Sequence, residues 1–244
     1  DQRNNVLIAS LVNAFFLWET KCANKFEKWI TLYSHTIKQS LEVITFFDAK
    51  NSLANFCFNH PNYVFPEIVK DSSIINSQKL GHPLLNSKNR IDNDFEINKN
   101  SFLIVTGANM AGKSTFLRTI SLSIVMANIG LPVCANSFKY KPVKLITSMR
   151  TSDSLAENES YFYSELKRLK LIVETIQTDD YFIVLDEILK GTNSKDKASG
   201  SKKFVEKLVT LNTTGIIATH DVSLCELEND FKEIKNFFFD AKIS

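Results

Sequence analysis

The stretch Gly107-Ala-Asn-Met-Ala-Gly-Lys-Ser114 is the main evidence for the fold, because it fits the phosphate-loop pattern GxxxxGK[ST]. An apolar run at 102–105 precedes it, and a segment with helical spacing at 115–129 follows it, ending before Gly130 and Pro132. Glycines let the backbone turn so that its N–H groups point to one place, where the next helix adds positive potential. The stretch therefore predicts a strand, a loop and a helix that together bind phosphate groups.

Two side chains of this loop have predicted roles of their own. Lys113 is expected to reach the β- and γ-phosphates of a nucleotide, and Ser114 is expected to ligate Mg²⁺. The alternative is a chance match on a glycine-containing turn, and the flanking strand and helix argue against it. We therefore predict a nucleotide site at this loop.

Two adjacent carboxylates, Asp186 and Glu187, follow a second apolar run at 182–185. Asp186 is expected to hold Mg²⁺ through water, and Glu187 is expected to polarise the attacking water as a general base. The alternative is an ordinary acidic helix start. Because neighbouring carboxylates repel each other, the pair is costly without a function, and this favours the first interpretation.

A third apolar run, at 215–218, is followed by Thr219 and His220. A histidine at the end of a strand is often structural, but this one comes after the strand that carries the carboxylates. We therefore expect His220 to contact a γ-phosphate. The three motifs together favour an ATP- or GTP-hydrolysing protein over a small-molecule kinase, which shares only the first loop.

The chain is expected to contain two parts. Residues 1–66 form a helical segment with apolar residues at spacings of three and four, and Pro61 and Pro66 mark its end. Residues 67–244 alternate between strand-like and helix-like segments, which predicts an α/β domain with a mainly parallel sheet and helices on both faces.

Composition adds weaker constraints. A net charge of +2 over 244 residues gives no argument for DNA binding from bulk charge. The four cysteines form no CxxC pair, which favours reduced thiols in a cytoplasmic protein. The apolar run at 6–18 is shorter than the roughly 20 residues of a membrane span. We interpret it as a buried helix, and a membrane anchor upstream of this chain stays open as a second interpretation.

Several of these motifs resemble those of the MutS family. Residues 106–115 resemble its TGPNMGGKST loop, 186–194 its DEIGRGTST segment, and 218–220 its ATH switch. Further similarities, in the same order along the chain, are at 81–83, 93–94, 153–156, 160–162 and Glu165. Ala108 and Ala111 replace the family's proline and glycine, Asn193 replaces a serine, and Asp221 follows the histidine in place of an aromatic residue. These departures indicate a divergent bacterial branch.

The resemblance implies a P-loop NTPase of the ABC-type ATPase class, with residues 1–66 as the end of the family's helical lever and 67–244 truncated at its C-terminal end. It implies that ATP or ADP, with Mg²⁺, binds between two subunits of a homodimer. Ser160, Gly191 and Thr192 would then contact the nucleotide of the partner subunit, although Ser160 could equally be a helix cap. The implied nucleotide-binding residues are Gly107, Ala108, Asn109, Met110, Ala111, Gly112, Lys113, Ser114, Thr115 and, near the adenine, Ile91.

The implied function is ATP hydrolysis coupled to binding of mismatched DNA. The DNA would be bound by regions outside this chain, and downstream repair proteins would be further partners. Two alternatives stay open: a related ATPase that acts on membranes or protein partners, and a nucleotide-binding structural module without useful turnover. Glu187 and His220 argue against the structural module.

Overall fold

A computed structural model of the chain describes residue 10 and residues 13–70, 72–149 and 161–240. The chain divides into two compact units between residues 59 and 60. The first contains one long helix, α1 (Trp18–Asn59), which has no buried side chain. Its sequence lacks glycine and proline, and the helix stops just before Pro61, because the residue that precedes a proline is pushed out of the helical conformation.

The second unit is built around a five-stranded sheet in which every neighbouring pair of strands is parallel. The strands, in their order across the sheet, are β6 (Lys144–Met149), β7 (Tyr181–Asp186), β8 (Thr214–Ala218), β4 (Phe102–Gly107) and β9 (Ile234–Phe239). The central strands β4, β7 and β8 are apolar and almost wholly buried, as expected for parallel strands covered on both faces. The prediction of a parallel α/β sheet is confirmed.

Helices cover both faces of this sheet. The remaining helices are α2 (Lys113–Asn128), α3 (Tyr161–Thr175), α4 (Ser194–Thr210), a 3₁₀ turn (Val222–Glu226) and α5 (Leu227–Asp230). Helices α3 and α4 share one apolar cluster with alternate residues of the central strands, such as Ile104 and Leu185. The buried side chains of α2 lie outside that cluster, and α2 contacts β6, β7 and β8. Because successive strand side chains point to opposite faces, α2 covers the other face.

A second sheet was not anticipated from the sequence. It contains, in spatial order, β1 (Glu67–Ile68), β5 (Ser137–Tyr140), β2 (Ser73–Leu80) and β3 (Asn93–Asn98). Strand β2 is antiparallel to both β3 and β5. Its register shifts near Lys79, which has a positive φ of 53°, and this irregularity interrupts the apolar alternation that would have revealed the strand.

Among the helices that the structure describes, none has the length and apolar character needed to cross a membrane. Of the apolar run at 6–18, residue 10 and residues 13–18 are described. Phe15, Phe16, Leu17 and Trp18 are exposed, so the prediction of a buried helix is wrong for this part of the run.

Candidate functional site

The phosphate loop connects the end of β4 to the start of α2. Gly112 precedes the helix with a left-handed φ of 93° and offers no side-chain cap to the first helical N–H groups. Met110, with a φ of 64°, is also left-handed, and its side chain is fully exposed. The first N–H groups of a helix have no partner within the helix, so this end of α2 can donate to an anion.

Gly107 is fixed by a close approach of two strands. Its φ is 144°, and a Cβ atom added there would lie 2.3 Å from the backbone oxygen of Phe239. That oxygen belongs to the neighbouring strand β9 and cannot move without breaking the sheet. Glycine is therefore required here by space as well as by conformation.

We expect Gly107→Ala to lower the free energy of unfolding by about 2–6 kcal/mol, because overpacking and an unfavourable φ each cost about 1–3 kcal/mol. Gly130→Ala is the matched control, since Gly130 has a φ of 80° but open space where a Cβ would stand. It should cost only about 1–2 kcal/mol. Urea denaturation of both variants measures the difference. Equal losses in the free energy of unfolding would show that the close approach to Phe239 does not add to the destabilisation.

Lys113 folds back over its own loop. Its Nζ donates hydrogen bonds to the carbonyl oxygens of Gly107 and Ala108, each at 2.8 Å, and only 6% of the residue is exposed. Burial lowers the pKa of Lys113, although the charges of Glu187 and Asp186 act in the opposite direction. An ammonium has three donors, so this group can also bind a phosphate oxygen at the loop.

The predicted carboxylates lie at the end of β7. Asp186 is the last residue of the strand and is 7% exposed. The Glu187 N–H donates to the Ala218 carbonyl oxygen at 2.9 Å, which extends the pairing with β8 by one residue. Glu187 itself has a left-handed φ of 48°, so the chain turns sharply after the strand.

The Glu187 carboxylate lies between the side chains of His220 and Lys190. One oxygen is 2.7 Å from His220 Nε2 and the other is 3.1 Å from Lys190 Nζ. Burial alone would raise the pKa of Glu187, but the hydrogen bond and charge of Lys190, together with the charges of His220 and Lys197, lower it overall. Glu187 is therefore ionised at neutral pH, as a general base must be.

The structure brings most of the predicted residues to one cleft of about 730 Å³. Its lining consists of Asn109, Met110, Ala111, Gly112, Lys113, Ser114, Thr115, Asp186, Glu187, Lys190 and His220. The cleft lies where the carboxyl ends of β4, β7 and β8 meet, which is where open parallel sheets bind ligands. Gly107 and Ala108 contribute carbonyl oxygens to Lys113 behind it.

Lys190 is a member of the site that the sequence argument missed. It occupies the place of the arginine in the DEIGRGTST segment, so a basic residue there was the available signal. Ile91 lies instead in a neighbouring cavity of about 360 Å³, which shares Ala111, Gly112 and Thr115 with the first. Its side chain is 83% exposed, and its predicted place near an adenine stays a prediction.

The donors present fit a magnesium ion that is bound jointly with phosphates. Ser114 and Asp186 both line the cleft. Across the part of the chain that the structure describes, no three His, Cys, Asp or Glu side chains converge on one point. Mg²⁺ commonly takes only one or two carboxylates and completes its shell with water and phosphate oxygens, so a hydroxyl and one carboxylate are a sufficient protein contribution.

Only some of the residues that are predicted to face a partner subunit are among the described residues. Ser160 lies outside the described residues. Gly191 is exposed. It also lies close to helix α3, since a Cβ atom added to Gly191 would be 2.9 Å from the Phe162 Cβ. Thr192 is half-buried. Their contact with a partner's nucleotide stays a prediction.

Comparison with known proteins points to one family. The family described as MutS domain V matches residues 103–244. The DNA mismatch repair protein MutS of Finegoldia magna is 34% identical over 214 residues, which are 84% of this chain and 25% of that protein. The protein of the same name from Fusobacterium nucleatum is 36% identical over 188 residues, 74% of this chain and 21% of that protein.

A human protein with a MutS name is also similar to this chain. The MutS protein homolog 4 of Homo sapiens is 30% identical over 214 residues, which are 85% of this chain and 22% of that protein. The chain thus spans about a quarter of the length of these curated relatives.

Proposed function

Because this chain belongs to the MutS family, we propose that it is the ATP-binding and ATP-hydrolysing domain of a DNA mismatch repair protein. One observation carries the proposal: Lys113, Asp186, Glu187 and His220, which lie at or just after the ends of three different strands, line a single cleft with the phosphate loop. This is the set of groups that phosphoryl transfer to water needs, namely an anion cradle, a metal ligand and a base.

The proposed reaction converts ATP and water to ADP and phosphate. The loop N–H groups and Lys113 bind and orient the phosphates, while Ser114 and Asp186 would hold Mg²⁺, which neutralises charge on the transferred group. Glu187 accepts the proton of the attacking water. His220 donates a hydrogen bond to the γ-phosphate, and its contact of 2.7 Å with Glu187 links that phosphate to the base.

The proposed coupling to DNA lies beyond the cleft. Two of the relatives cited above are DNA mismatch repair proteins by name. By analogy, DNA would be bound by parts of the protein outside this chain, and two ATPase domains would form a homodimer that the nucleotide closes and opens. Ser160, Gly191 and Thr192 would contact the partner's nucleotide, and the helices of residues 1–60 would carry the motion outward. The relatives named above do not favour the alternative of an ATPase that acts on membranes or on protein partners.

Phosphate release by the full-length protein tests this coupling. At fixed, stated salt, a duplex with one mismatch should change the steady-state rate more than a fully paired duplex of the same length. The paired duplex is the control, because it presents the same phosphate backbone. Phosphate release that responds to neither duplex would contradict the coupling to DNA and leave the ATPase assignment standing.

A further inference from the structure

The turn that follows β7 has an unusual backbone. Glu187 and Leu189 are not glycines, yet both have left-handed φ angles, 48° and 59°. Such residues cost free energy and persist only where surrounding contacts hold them in place. The turn carries the proposed general base, so whatever holds it also sets the position of that base.

One buried side chain from another element, Glu165, forms hydrogen bonds with the backbone of this turn. Glu165 on helix α3 is 5% exposed. One of its carboxylate oxygens accepts a hydrogen bond from the Leu189 N–H at 2.7 Å, and the other accepts one from the Lys190 N–H at 3.0 Å. Both oxygens are thus engaged by successive backbone donors, and such charge-assisted bonds fix orientation as well as distance.

Helix α3 is itself anchored close to the turn. Near its beginning, Phe162 lies against Gly191 so closely that an added Cβ would be 2.9 Å from the Phe162 Cβ. One turn after Glu165, the Arg168 guanidinium donates to the Thr147 carbonyl oxygen of strand β6 at 2.7 Å. The helix therefore presents Glu165 from a fixed position between the sheet and the turn.

We propose that Glu165 is a positioning residue for hydrolysis, which acts through the backbone of Leu189 and Lys190 to set the geometry of Glu187. Lys190 connects Glu165 to Glu187. Its N–H is held by Glu165, and its Nζ is 3.1 Å from Glu187 Oε2. The inference rests on the proposed ATPase function, but it concerns a residue that does not line the cleft.

The test is Glu165→Gln, which keeps the size of the side chain. The amide retains one acceptor oxygen and turns an NH₂ group toward a backbone N–H, so one of the two bonds becomes a repulsion. We expect kcat for ATP hydrolysis to fall by about 10–100-fold, because small displacements of reacting groups have effects of that size. KM and the nucleotide Kd should stay within about threefold, since the phosphate loop is untouched.

Glu174→Gln is the matched control. Glu174 lies on the same helix and forms an exposed ion pair with Lys170 at 3.7 Å, so this variant should keep the kcat of the wild type. The positioning role would be overturned if both variants lost kcat equally. It would also be overturned if Glu165→Gln left kcat unchanged or changed KM alone.

A double-mutant cycle with Lys190→Met tests the route of the effect. If Glu165 acts through the turn that carries Lys190, the two substitutions together should lower kcat by less than the product of their separate effects. Independent, multiplicative effects would overturn the proposal. Thermal unfolding checks that each variant is folded. Should Glu165→Gln be unfolded, Glu165→Asp, which keeps the charge but is one methylene shorter, is expected to show the same selective loss of kcat, and a wild-type rate would overturn it.

Failure of this inference is distinguishable from failure of the proposed function. A wild-type protein that releases no phosphate from ATP would reject the ATPase assignment and this role with it. A wild-type protein that turns over, beside a Glu165→Gln variant that does so equally well, would reject the positioning role alone.

Discussion

Lys113→Met is expected to raise the Kd for ATP by about 10²–10³-fold. A unit charge 4 Å from another contributes about 4 kcal/mol at the dielectric of a partly buried site, and about 1.4 kcal/mol corresponds to a factor of ten. Methionine keeps the length and most of the packing of the lysine, so the change removes mainly the ammonium that is held at the Gly107 and Ala108 carbonyl oxygens.

Titration with a fluorescent ATP analogue measures this effect. Lys203→Met is the control, because Lys203 is exposed on helix α4 and does not line the cleft. It should leave the Kd unchanged. An unchanged Kd in Lys113→Met would contradict the assignment of this loop as the phosphate site.

Glu187→Gln is expected to reduce turnover by about 10²–10⁴-fold, the usual contribution of a general base, while ATP still binds. Glutamine keeps the shape of the side chain and can still contact Lys190 and His220, but it cannot accept the proton of the attacking water. The variant should therefore accumulate with ATP bound. The affinity of the variant for ATP should stay close to that of the wild type or rise, because the substitution removes a negative charge from beside the phosphates.

Turnover and retained nucleotide are measured together, by phosphate release and by chromatography of the nucleotide extracted from the protein. Glu233→Gln is the matched control, since Glu233 is exposed next to the first residue of β9, at the opposite end of the sheet from the cleft. It should behave as the wild type. A Glu187→Gln variant that hydrolyses ATP at the wild-type rate would require a different base.

The cleft could be predicted because it is encoded by short local patterns. Each of the three apolar runs is a buried parallel strand, and each is followed by the groups that carry the chemistry, so the common direction of the strands brings Lys113, Asp186 and His220 to one edge. That inference needs only the alternation of strands and helices. The family resemblance added the prediction that Asn109 and Met110 bind the nucleotide, which spacing alone does not give.

The rest depends on contacts between distant parts of the chain. The contact between His220 Nε2 and the Glu187 carboxylate joins the ends of two strands that carry separate sequence motifs. Glu165 lies 24 residues before Leu189, and no local pattern indicates that its carboxylate is buried against that backbone. The four-stranded sheet escaped prediction for a related reason, since a register shift in β2 disturbs the apolar alternation of that strand.

Single-turnover hydrolysis of γ-labelled ATP, with the protein and Mg²⁺ in excess, measures whether this cleft hydrolyses ATP. We expect bound ATP to be converted to ADP and free phosphate by the wild-type protein and to stay intact on Glu187→Gln. Bound ATP that stays intact on the wild-type protein, with or without duplex DNA, would contradict the ATPase assignment.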